Sequence, residues 1–339
     1  MKAAVFAYSR KGCMTAKRVS AFLKGWDLRL FAPERFAVEV FAPVAKPGRE
    51  FYGEQFAWAD TLVFIGSCGI AVREIAPHVR DKRTDPAVIS IDELTTFVIP
   101  ILSGHIGGAN AFARQIAAYL NATPVITTAT DINGRFSVDT WAAQNGFVIG
   151  DIKAAKTVSA AVLEQDVPLY SEFPIATPFP NGVFPGKTGP VGIYVGVKKE
   201  EPFPETLRII PPVLHLGIGC RKGTSMQAIG EAVAHVLEEN RIDKRAIKLA
   251  ASIELKAEER GLLDYCRENR FPITFYSQQE LLSVKGTFAS SEFVRSVTGV
   301  DNVCERAAMV EAERILVGKT AENGVTVAIA AEKLEVSFE

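Results

Sequence analysis

The sequence has few of the residues that usually mark a metal site or a disulfide framework. Its 339 residues include five cysteines and four histidines, and no two cysteines show the Cys-x-x-Cys spacing. The cysteines are odd in number and scattered, which argues against paired disulfides and against a zinc knuckle. No second histidine or cysteine stands at ligand spacing from His105, so we expect no metal bound by the protein itself.

The sequence also has almost no net charge and no long apolar run. The formal net charge is −1, so no overall field draws the chain towards nucleic acid or an anionic membrane. The apolar runs are too short to span a bilayer, and the first one is too short for a signal peptide. Hydrophobic residues make up 48% of the chain, which is ample for buried cores. We therefore expect a folded cytoplasmic protein that binds neither nucleic acid nor membrane.

Short strand-like runs alternate with longer helical patterns through most of the chain. This alternation predicts an α/β fold with two parallel-sheet domains joined by a proline-rich middle segment. We place an amino-terminal α/β domain at residues 1–145, a middle or linker region at residues 146–212, and a carboxy-terminal α/β domain at residues 213–339. The length suits two or three domains.

The middle of the chain is rich in proline, which removes backbone donors. We therefore predict a loop-rich linker over residues 168–212, with one short strand at residues 191–197. Near the first domain's end we predict a strand at residues 123–128, followed by a turn at residues 131–134. Near the chain's end we predict a helix at residues 306–316, and we expect residues 315–317 and 325–330 to pair around an Asn-Gly turn.

Three junctions between a predicted strand and a predicted helix are rich in glycine and polar residues. They read GSCGIAVRE at residues 66–74, SGHIGGAN at residues 103–110, and GIGCRKGTS at residues 217–225. A parallel sheet places such loops at the carboxyl edge of its strands, where helix N-termini present free N–H groups. Glycine admits a ligand close to the backbone, although it often only permits a tight turn. We interpret the three loops together as cradles for anions or carbonyl groups.

The candidate binding residues come from these loops and from one cation beyond the next strand. Cations inside such loops add to a helix N-terminus in binding carboxylates, and Lys82 and Arg83 lie near the first loop. Serine and threonine at these positions also suit turns and helix N-caps. The candidates are Gly66, Ser67, Gly69, Arg73, Ser103, Gly104, Gly107, Gly108, Asn110, Gly219, Arg221, Lys222, Thr224, Ser225 and Lys256.

His105, between glycines, admits three interpretations. It is a cap or packing residue at the helix start, a cation for an anionic group when protonated, or a general base near neutral pH. Asp131 and Glu254 are rival bases, each placed at the end of a predicted strand. A turn-forming aspartate and a solvated glutamate are the alternatives for these two. The residues alone leave all of these possibilities open.

Longer motifs resemble the CbiG proteins. The amino-terminal domain of that family is matched by residues 66–75, 81–88, 98–110 and 123–134, and the carboxy-terminal domain by residues 216–223, 251–256, 275–277, 297–308 and 325–330. The resemblance covers most of the chain in the expected order. Residues 8–12 depart from the threonine-rich loop of the family, and the proline-rich middle offers little to match.

CbiG proteins are cobalt-precorrin-5A hydrolases of anaerobic cobalamin biosynthesis. The resemblance implies that the enzyme opens the ring A acetate δ-lactone of cobalt-precorrin-5A with water. It then implies release of the C20 carbon and its methyl group as acetaldehyde, which leaves cobalt-precorrin-5B. The substrate brings its own cobalt, so no cofactor is expected. Cys220 and Cys304 are either cobalt ligands or, as we favour, small buried groups.

The several carboxylate arms of such a tetrapyrrole suit separate N–H cradles with nearby cations. We expect His105 to act as base or acid at a cleft between two domains, beside the amides of Gly104, Gly107 and Gly108. A homodimer and transient contacts with neighbouring enzymes of the pathway are two further expectations. Two other functions stay open, namely a non-catalytic tetrapyrrole carrier and an unrelated α/β ligand sensor.

Overall fold

The computed structural model describes residues 1–37, 40–45, 48–81, 84–105 and 107–338. The chain divides into two compact units, Met1–Thr140 and Trp141–Glu339. Both units are built from helices packed on mostly parallel sheets, which confirms the predicted α/β class. Within the described part of the chain, every helix is too short or too polar to cross a membrane.

The first unit carries one sheet with helices on both of its faces. Its strands are β1 (Lys2–Ala7), β2 (Asp27–Ala32), β3 (Ala42–Pro43), β4 (Thr61–Ile65), β5 (Ala87–Ile91), β6 (Phe97–Leu102) and β7 (Thr123–Pro124). Its helices are α1 (Arg10–Phe22), α2 (Gly48–Trp58), α3 (Cys68–Ile75), α4 (Ala109–Leu120) and α5 (Ala129–Ile132), with α6 (Val138–Gln144) at the boundary of the units.

The central strands of this sheet are buried on both faces because their sequences are mostly apolar. All five residues of β4 and of β5 are buried. This is the pattern expected of a parallel strand covered by helices on both sides. Helices α1 and α4 cover one face through residues such as Val19 and Ile116. Helices α2 and α3 cover the other through residues such as Phe51 and Ile75.

One strand pair in this sheet is antiparallel, and it decides where the loops lie. The strand order is β3-β2-β1-β4-β5-β6-β7, and all neighbours run parallel except β5 and β6. Residues 92–96 join β5 to β6. Five residues are too few for a crossover between parallel strands, so β6 must turn back along β5. Strand β6 therefore ends at the opposite edge of the sheet from β4 and β5.

The second unit contains two sheets. The first has the strands β8 (Val148–Ile149), β9 (Val167–Ser171), β10 (Val183–Pro185), β11 (Val191–Val195) and β12 (Glu205–Ile210), with helix α7 (Ile152–Glu164). The second has β13 (Leu214–Cys220), β14 (Ile247–Ile253), β15 (Ile273–Tyr276), β16 (Arg314–Glu322) and β17 (Val325–Ala331). Its helices are α8 (Met226–Glu239), α9 (Arg260–Asn269), α10 (Gln278–Ser283), α11 (Glu292–Thr298) and α12 (Val303–Met309).

The prediction of a loop-rich linker over residues 168–212 was wrong. Strands β9 to β12 form a parallel set in the order β10-β9-β11-β12, closed by the antiparallel β8. Most of the prolines lie in the connections or at strand ends, where a missing N–H removes no ladder hydrogen bond. Between them, buried residues such as Leu169 and Ile193 form a core. The division of the chain at residues 145 and 212 stays a prediction.

The carboxy-terminal sheet has the order β15-β14-β13-β17-β16, with β13, β14 and β15 parallel. The predicted pairing around the Asn-Gly turn is confirmed, because β16 and β17 form an antiparallel hairpin. Asn323 and Gly324 both have positive φ, at 48° and 81°, as a two-residue hairpin turn requires. The predicted helix at residues 306–316 was wrong in its second half, since α12 ends at Met309 and β16 begins at Arg314.

Candidate functional site

The His105 loop does not share a sheet edge with the Gly66 loop, contrary to the expectation for a wholly parallel sheet. The Gly66 loop follows β4, whose end is paired with the end of β5. The His105 loop follows β6, which runs the other way, and Ser103 Oγ donates to the carbonyl oxygen of Asp85, just before β5. The two loops therefore lie at opposite ends of the strands.

Two carboxylates hold the His105 ring, one at each nitrogen. Nε2 lies 3.2 Å from Oδ2 of Asp131, and Nδ1 lies 3.5 Å from Oδ1 of Asp139. The side chains of these three residues are 21%, 17% and 14% exposed, respectively, so the ring is shielded but reachable. The structure thus brings together two candidates that the sequence offered as rivals, His105 and Asp131.

Asp131 is itself fixed by residues of helix α4. Arg114 Nη2 donates to Oδ1 at 2.6 Å, and Asn110 Nδ2 donates to Oδ2 at 2.8 Å. Asn110 and Arg114 are four residues apart, so they project from the same face of α4. The expected strand ends at Pro124, and Asp131 lies instead in the short helix α5. We call His105, Asn110, Arg114, Thr130, Asp131 and Asp139 the His105 cluster.

The charges in the cluster shift the three pKa values in a consistent way. The hydrogen bond to Asp139 raises the pKa of His105, against the opposing effect of burial. Burial alone raises the pKa of Asp139, but the contacts with His105, Ser137 and the Thr140 amide together outweigh it and lower the pKa to about 2. Burial also acts upwards on Asp131, whose pKa is nevertheless lowered by Arg114 and Asn110. The ring is therefore favoured as an imidazolium between two ionised carboxylates.

Both protonation states of the His105 ring have partners. When it is protonated, Nδ1–H faces Oδ1 of Asp139 as an ion pair at 3.5 Å, and Nε2–H donates to Oδ2 of Asp131 at 3.2 Å. When Nε2 loses its proton, Thr130 Oγ1 at 3.2 Å is placed to donate to it. The hydroxyl of Thr130 is both donor and acceptor, and the residue is only 7% exposed. The cluster thus accommodates the gain and loss of one proton at Nε2 without leaving a polar atom unpaired.

The glycines around His105 are explained by packing within the loop. A Cβ on Gly104 would lie 2.7 Å from Oδ1 of Asn110, and one on Gly107 would lie 2.4 Å from Cβ of Ser103. Gly108 has φ of 77° at the N-cap of α4, and its amide donates to the His105 carbonyl oxygen. This amide is therefore already bonded within the loop, and a binding role for Gly108 stays a prediction. The Ile106 position lies outside the described residues.

In the Gly66 loop some of the candidate binding groups are exposed, and one is already hydrogen-bonded. The Gly66 amide donates to the Ile91 carbonyl oxygen at 2.8 Å, so it is not free for a ligand. Ser67 and Gly69 are exposed, and Ser67 forms no side-chain capping bond at the start of α3. Arg73 is exposed as well. Lys82 and Arg83 lie outside the described residues.

The third loop and the Glu254 turn meet at one edge of the second unit. Strands β13 and β14 are parallel neighbours, so the loop after Cys220 and the turn Glu254–Lys256 both lie at their carboxyl ends. Gly223 N donates to Oε1 of Glu259 at 2.8 Å, and Lys256 Nζ lies 3.4 Å from Oε2 of the same carboxylate. The geometric expectation of a shared carboxyl edge is thus met in the carboxy-terminal sheet.

Two cations of this loop lack a carboxylate partner. Arg221 and Lys222 are exposed, and in the described ranges no acidic side chain pairs with either. The Arg221 amide donates to the Gly324 carbonyl oxygen, and Thr224 Oγ1 donates to the Arg221 carbonyl oxygen, so the backbone of the loop is held. Ser225 is the N-cap of α8, as one interpretation of the sequence had it. We call these two residues, Arg221 and Lys222, the cationic edge.

Gly219 lies within β13, and its surroundings are filled by the neighbouring strand β17. It pairs with Thr326 of β17, and a Cβ at this position would lie 2.5 Å from Oγ1 of Thr326. Glu254 is exposed at the start of its turn. It follows β14 directly, as predicted, but it lies in a different unit from the His105 cluster.

Comparison with known proteins identifies the family. The model described as "Cobalamin synthesis G C-terminus" matches residues 214–330, and "Cobalamin synthesis G N-terminal" matches residues 50–131. A protein of Salmonella typhimurium strain LT2 named cobalt-precorrin-5A hydrolase is 34% identical over 341 residues, covering 96% of each chain. The chain belongs to the CbiG family.

Two further relatives agree with this assignment. A protein of Priestia megaterium, also named cobalt-precorrin-5A hydrolase, is 34% identical over 291 residues and covers 79% of this chain and 78% of that protein. Protein CobE of a Sinorhizobium species is 30% identical over 121 residues, covering 34% of this chain and 79% of that protein. The similarity to proteins of this kind thus extends over 96% of the chain, and a shorter relative corresponds to about a third of it.

The cysteines of this CbiG chain are poor candidates for cobalt ligands. Cys304 is 1% exposed, and burial raises its pKa to about 11. Cys220 is half-buried, and burial raises its pKa too. A metal binds the thiolate, which a raised pKa disfavours. In the part of the chain that the structure describes, no group of three or more histidine, cysteine or acidic side chains is arranged to hold a metal ion.

Three members of the His105 cluster were not predicted from the sequence. The spacing of Asn110 and Arg114 on one helical face is the signal that points to Arg114. Thr130 is adjacent to Asp131 and carries no separate signal. Asp139 stands 34 positions from His105 in the chain, and only the fold brings it to Nδ1.

Proposed function

We propose that this CbiG protein is a cobalt-precorrin-5A hydrolase that opens the ring A acetate δ-lactone of its substrate and releases acetaldehyde. The observation that carries the proposal is the 34% identity to the Salmonella typhimurium enzyme over 96% of both chains. Because the match extends across both units, the proposal concerns the whole chain rather than one shared domain. The product is then cobalt-precorrin-5B.

His105 is the residue that we assign to proton transfer. With Nδ1–H donated to Asp139, a neutral Nε2 takes a proton from the attacking water as the water adds to the lactone carbonyl carbon. The resulting imidazolium is stabilised by Asp131 on the other side of the ring. It returns the proton to the alkoxide that leaves when the lactone opens.

The second step breaks a carbon-carbon bond. A base removes the proton of the freed hydroxyl, its carbon becomes the carbonyl carbon of acetaldehyde, and the bonding electron pair enters the conjugated imine system of the macrocycle. His105, neutral again, suits this second deprotonation as well. Asp131 is a weaker candidate because its pKa is lowered by Arg114 and Asn110. Glu254 is exposed and remains the alternative base.

The cationic edge is the feature that we assign to recognition. Arg221 and Lys222 are exposed and present positive charge beside the N-terminus of α8. A substrate with several carboxylate arms matches such groups, because charge-assisted hydrogen bonds to carboxylates are the strongest kind. We propose that the protein brings no cofactor and that the cobalt arrives within the macrocycle. The homodimer, the contacts with neighbouring enzymes and the cytoplasmic location stay predictions.

The test is acetaldehyde release from cobalt-precorrin-5A under anaerobic conditions. We expect the full-length protein to release one acetaldehyde per substrate consumed, measured by trapping the aldehyde. Release from a boiled sample at the same rate would contradict the proposal. Tight binding of the tetrapyrrole with no aldehyde would favour a carrier instead, and no binding at all would favour an unrelated ligand sensor.

A further inference from the structure

Asp139 is placed to control His105 from the side that faces away from Asp131. Its Oδ1 atom lies 3.5 Å from Nδ1 of His105 and also accepts from Ser137 Oγ at 2.8 Å and from the Thr140 amide at 3.0 Å. These two local donors fix the carboxylate independently of the histidine. A fixed carboxylate at one ring nitrogen selects the tautomer and the orientation of the ring.

We propose that Asp139 is the positioning residue for His105, which holds Nδ1–H and so leaves Nε2 as the nitrogen that exchanges protons with the reacting groups. The inference rests on the proposed function, because it gives Asp139 a part in that reaction. Asp139 itself touches neither the water nor the lactone. It acts through the ring of His105.

The two carboxylates beside His105 are not equivalent. Asp131 is paired with Arg114 at 2.6 Å, so its charge is already compensated. Asp139 has no such cation, since among residues 1–37, 40–45, 48–81, 84–105 and 107–338 only His105 forms an ion pair with it. The negative charge of Asp139 is therefore directed at His105, whereas Asp131 completes a pair with Arg114.

The second nitrogen of His105 has the freedom that proton exchange requires. At Nε2 an acceptor, Asp131 Oδ2, and a hydroxyl, Thr130 Oγ1, both lie at 3.2 Å. At Nδ1 Asp139 alone is in hydrogen-bond or ion-pair contact within the described residues. The charged groups that face the ring are thus Asp139 from α6 and Asp131 from α5, with Arg114 from α4 behind Asp131. This asymmetry assigns orientation to Nδ1 and proton exchange to Nε2.

The direct test is a nuclear magnetic resonance titration of the His105 ring in the full-length chain. His105→Ala identifies its signals, and Asp139→Asn removes the charge while keeping the shape of the side chain. We expect Asp139→Asn to move the His105 titration to lower pH and to change the Nδ1-to-Nε2 tautomer ratio of the neutral ring. Asp264→Asn is the matched control, because it makes the same change at an exposed aspartate of α9 that pairs with Arg267. An unchanged titration and tautomer ratio in Asp139→Asn would overturn the proposal.

The second readout is the pH profile of acetaldehyde release. Asp139→Asn is expected to lower kcat on the order of 10-fold or more, with little change in KM, and to move the acid limb of the profile to lower pH. Asp139→Glu restores the charge and should restore part of the rate. If Asp139→Asn does not fold, Asp139→Ser, which is also neutral but smaller, takes its place, and an acid limb at the same pH as in the parent overturns the proposal.

Failure of the proposed function and failure of this inference look different. If the parent protein releases no acetaldehyde, the function is wrong, while the titration still shows whether Asp139 sets the state of the ring. If the parent is active and kcat is unchanged in Asp139→Asn, the positioning role is wrong whatever the titration shows.

Discussion

The His105 cluster and the cationic edge are built in opposite ways. In the cluster every charged group has a partner, from Arg114 through Asp131 and His105 to Asp139. At the cationic edge, Arg221 and Lys222 extend into solvent without a carboxylate partner in the described residues. A network in which every group is hydrogen-bonded restricts the geometry and protonation of its members. Unpaired cations are instead available to bind the carboxylates of a ligand. The difference separates a place suited to proton transfer from a place suited to binding carboxylates.

The largest effect is expected when the imidazole of His105, which we assign to proton transfer, is removed. His105→Ala is expected to lower kcat for acetaldehyde release by about 10²- to 10⁴-fold, because general acid-base catalysis contributes about that much. His235→Ala is the matched control, since His235 is an exposed histidine of α8 that pairs with Glu322. Activity within a few-fold of the parent in His105→Ala would move the base to Asp131 or Glu254.

The cationic edge should respond in KM rather than in kcat. Arg221→Gln combined with Lys222→Gln is expected to raise KM roughly 10- to 100-fold, because two charge-assisted contacts to substrate carboxylates are lost. The effect should shrink as salt is added, since salt screens exposed charges. Arg267→Gln, which neutralises an exposed arginine of α9, serves as the control. A fall in kcat at constant KM would contradict a role in recognition.

The charge pairing within the His105 cluster should appear in the pH dependence of stability. The pKa of His105 is raised, so its contribution is complete below its unfolded value and is lost as pH rises through the folded value. The pKa of Asp139 falls from 3.8 to about 2, so its contribution is complete above 3.8 and is lost as pH falls towards 2. Asp139→Asn should therefore lower the free energy of unfolding by about 1–2 kcal/mol between pH 3.8 and pH 6.5, where both contributions are complete. The loss should be smaller below and above this range.

Denaturant unfolding of the parent and of Asp139→Asn at a series of pH values measures this difference. Ser20→Ala, a change at an exposed helix position with only a local hydrogen bond, is the control. A difference that is flat from pH 2 to pH 9 would show that the lost contacts are not those of an ion pair.

The smallest effect concerns the two glycine loops of the first unit. Gly104→Ala should destabilise the protein by about 1 kcal/mol and reduce activity, because its Cβ meets Asn110, a buried side chain bound to Thr128 and Asp131. Gly69→Ala is the contrast, since a Cβ there meets nothing within 4 Å. Thermal unfolding measures both, and equal losses would show that the His105 loop is no more tightly packed than the Gly66 loop.

The strands of the first sheet were predictable because their apolar runs are long enough to be buried on both faces. The mostly apolar runs at residues 61–65 and 87–91, each of which predicts a strand, are β4 and β5 in the structure. Helix α2 was not predicted, since Gly48–Trp58 mixes polar and apolar residues without a clear period. The sheet of the middle region was missed because proline content outweighed the short apolar runs of β9 and β12. Proline at the ends of strands is compatible with a sheet. Only the position of each proline in the hydrogen-bond ladder distinguishes such a sheet from a proline-rich loop region.

The candidate site was predictable in part. His105, Asn110 and Asp131 were named from the sequence, and the structure brings them together. Asp139 was missed because nothing local marks it, and a long-range contact needs the fold. The antiparallel direction of β6 was not predicted. The connection before β6 has only five residues, which indicates an antiparallel pair, but each glycine-rich loop after a strand was taken to belong to a parallel sheet. The catalytic and binding roles of all these residues stay proposals.

The reversal of β6 has a geometric consequence for any ligand. The two glycine loops of the first unit are separated by the length of β5, five residues at about 3.3 Å each, or roughly 16 Å. A reagent tethered near His105 would therefore label Ser67, in the Gly66 loop, only with a spacer at least that long. A series of cross-linkers of graded length thus acts as a ruler across the sheet, and the shortest one that joins the two edges reports which way β6 runs.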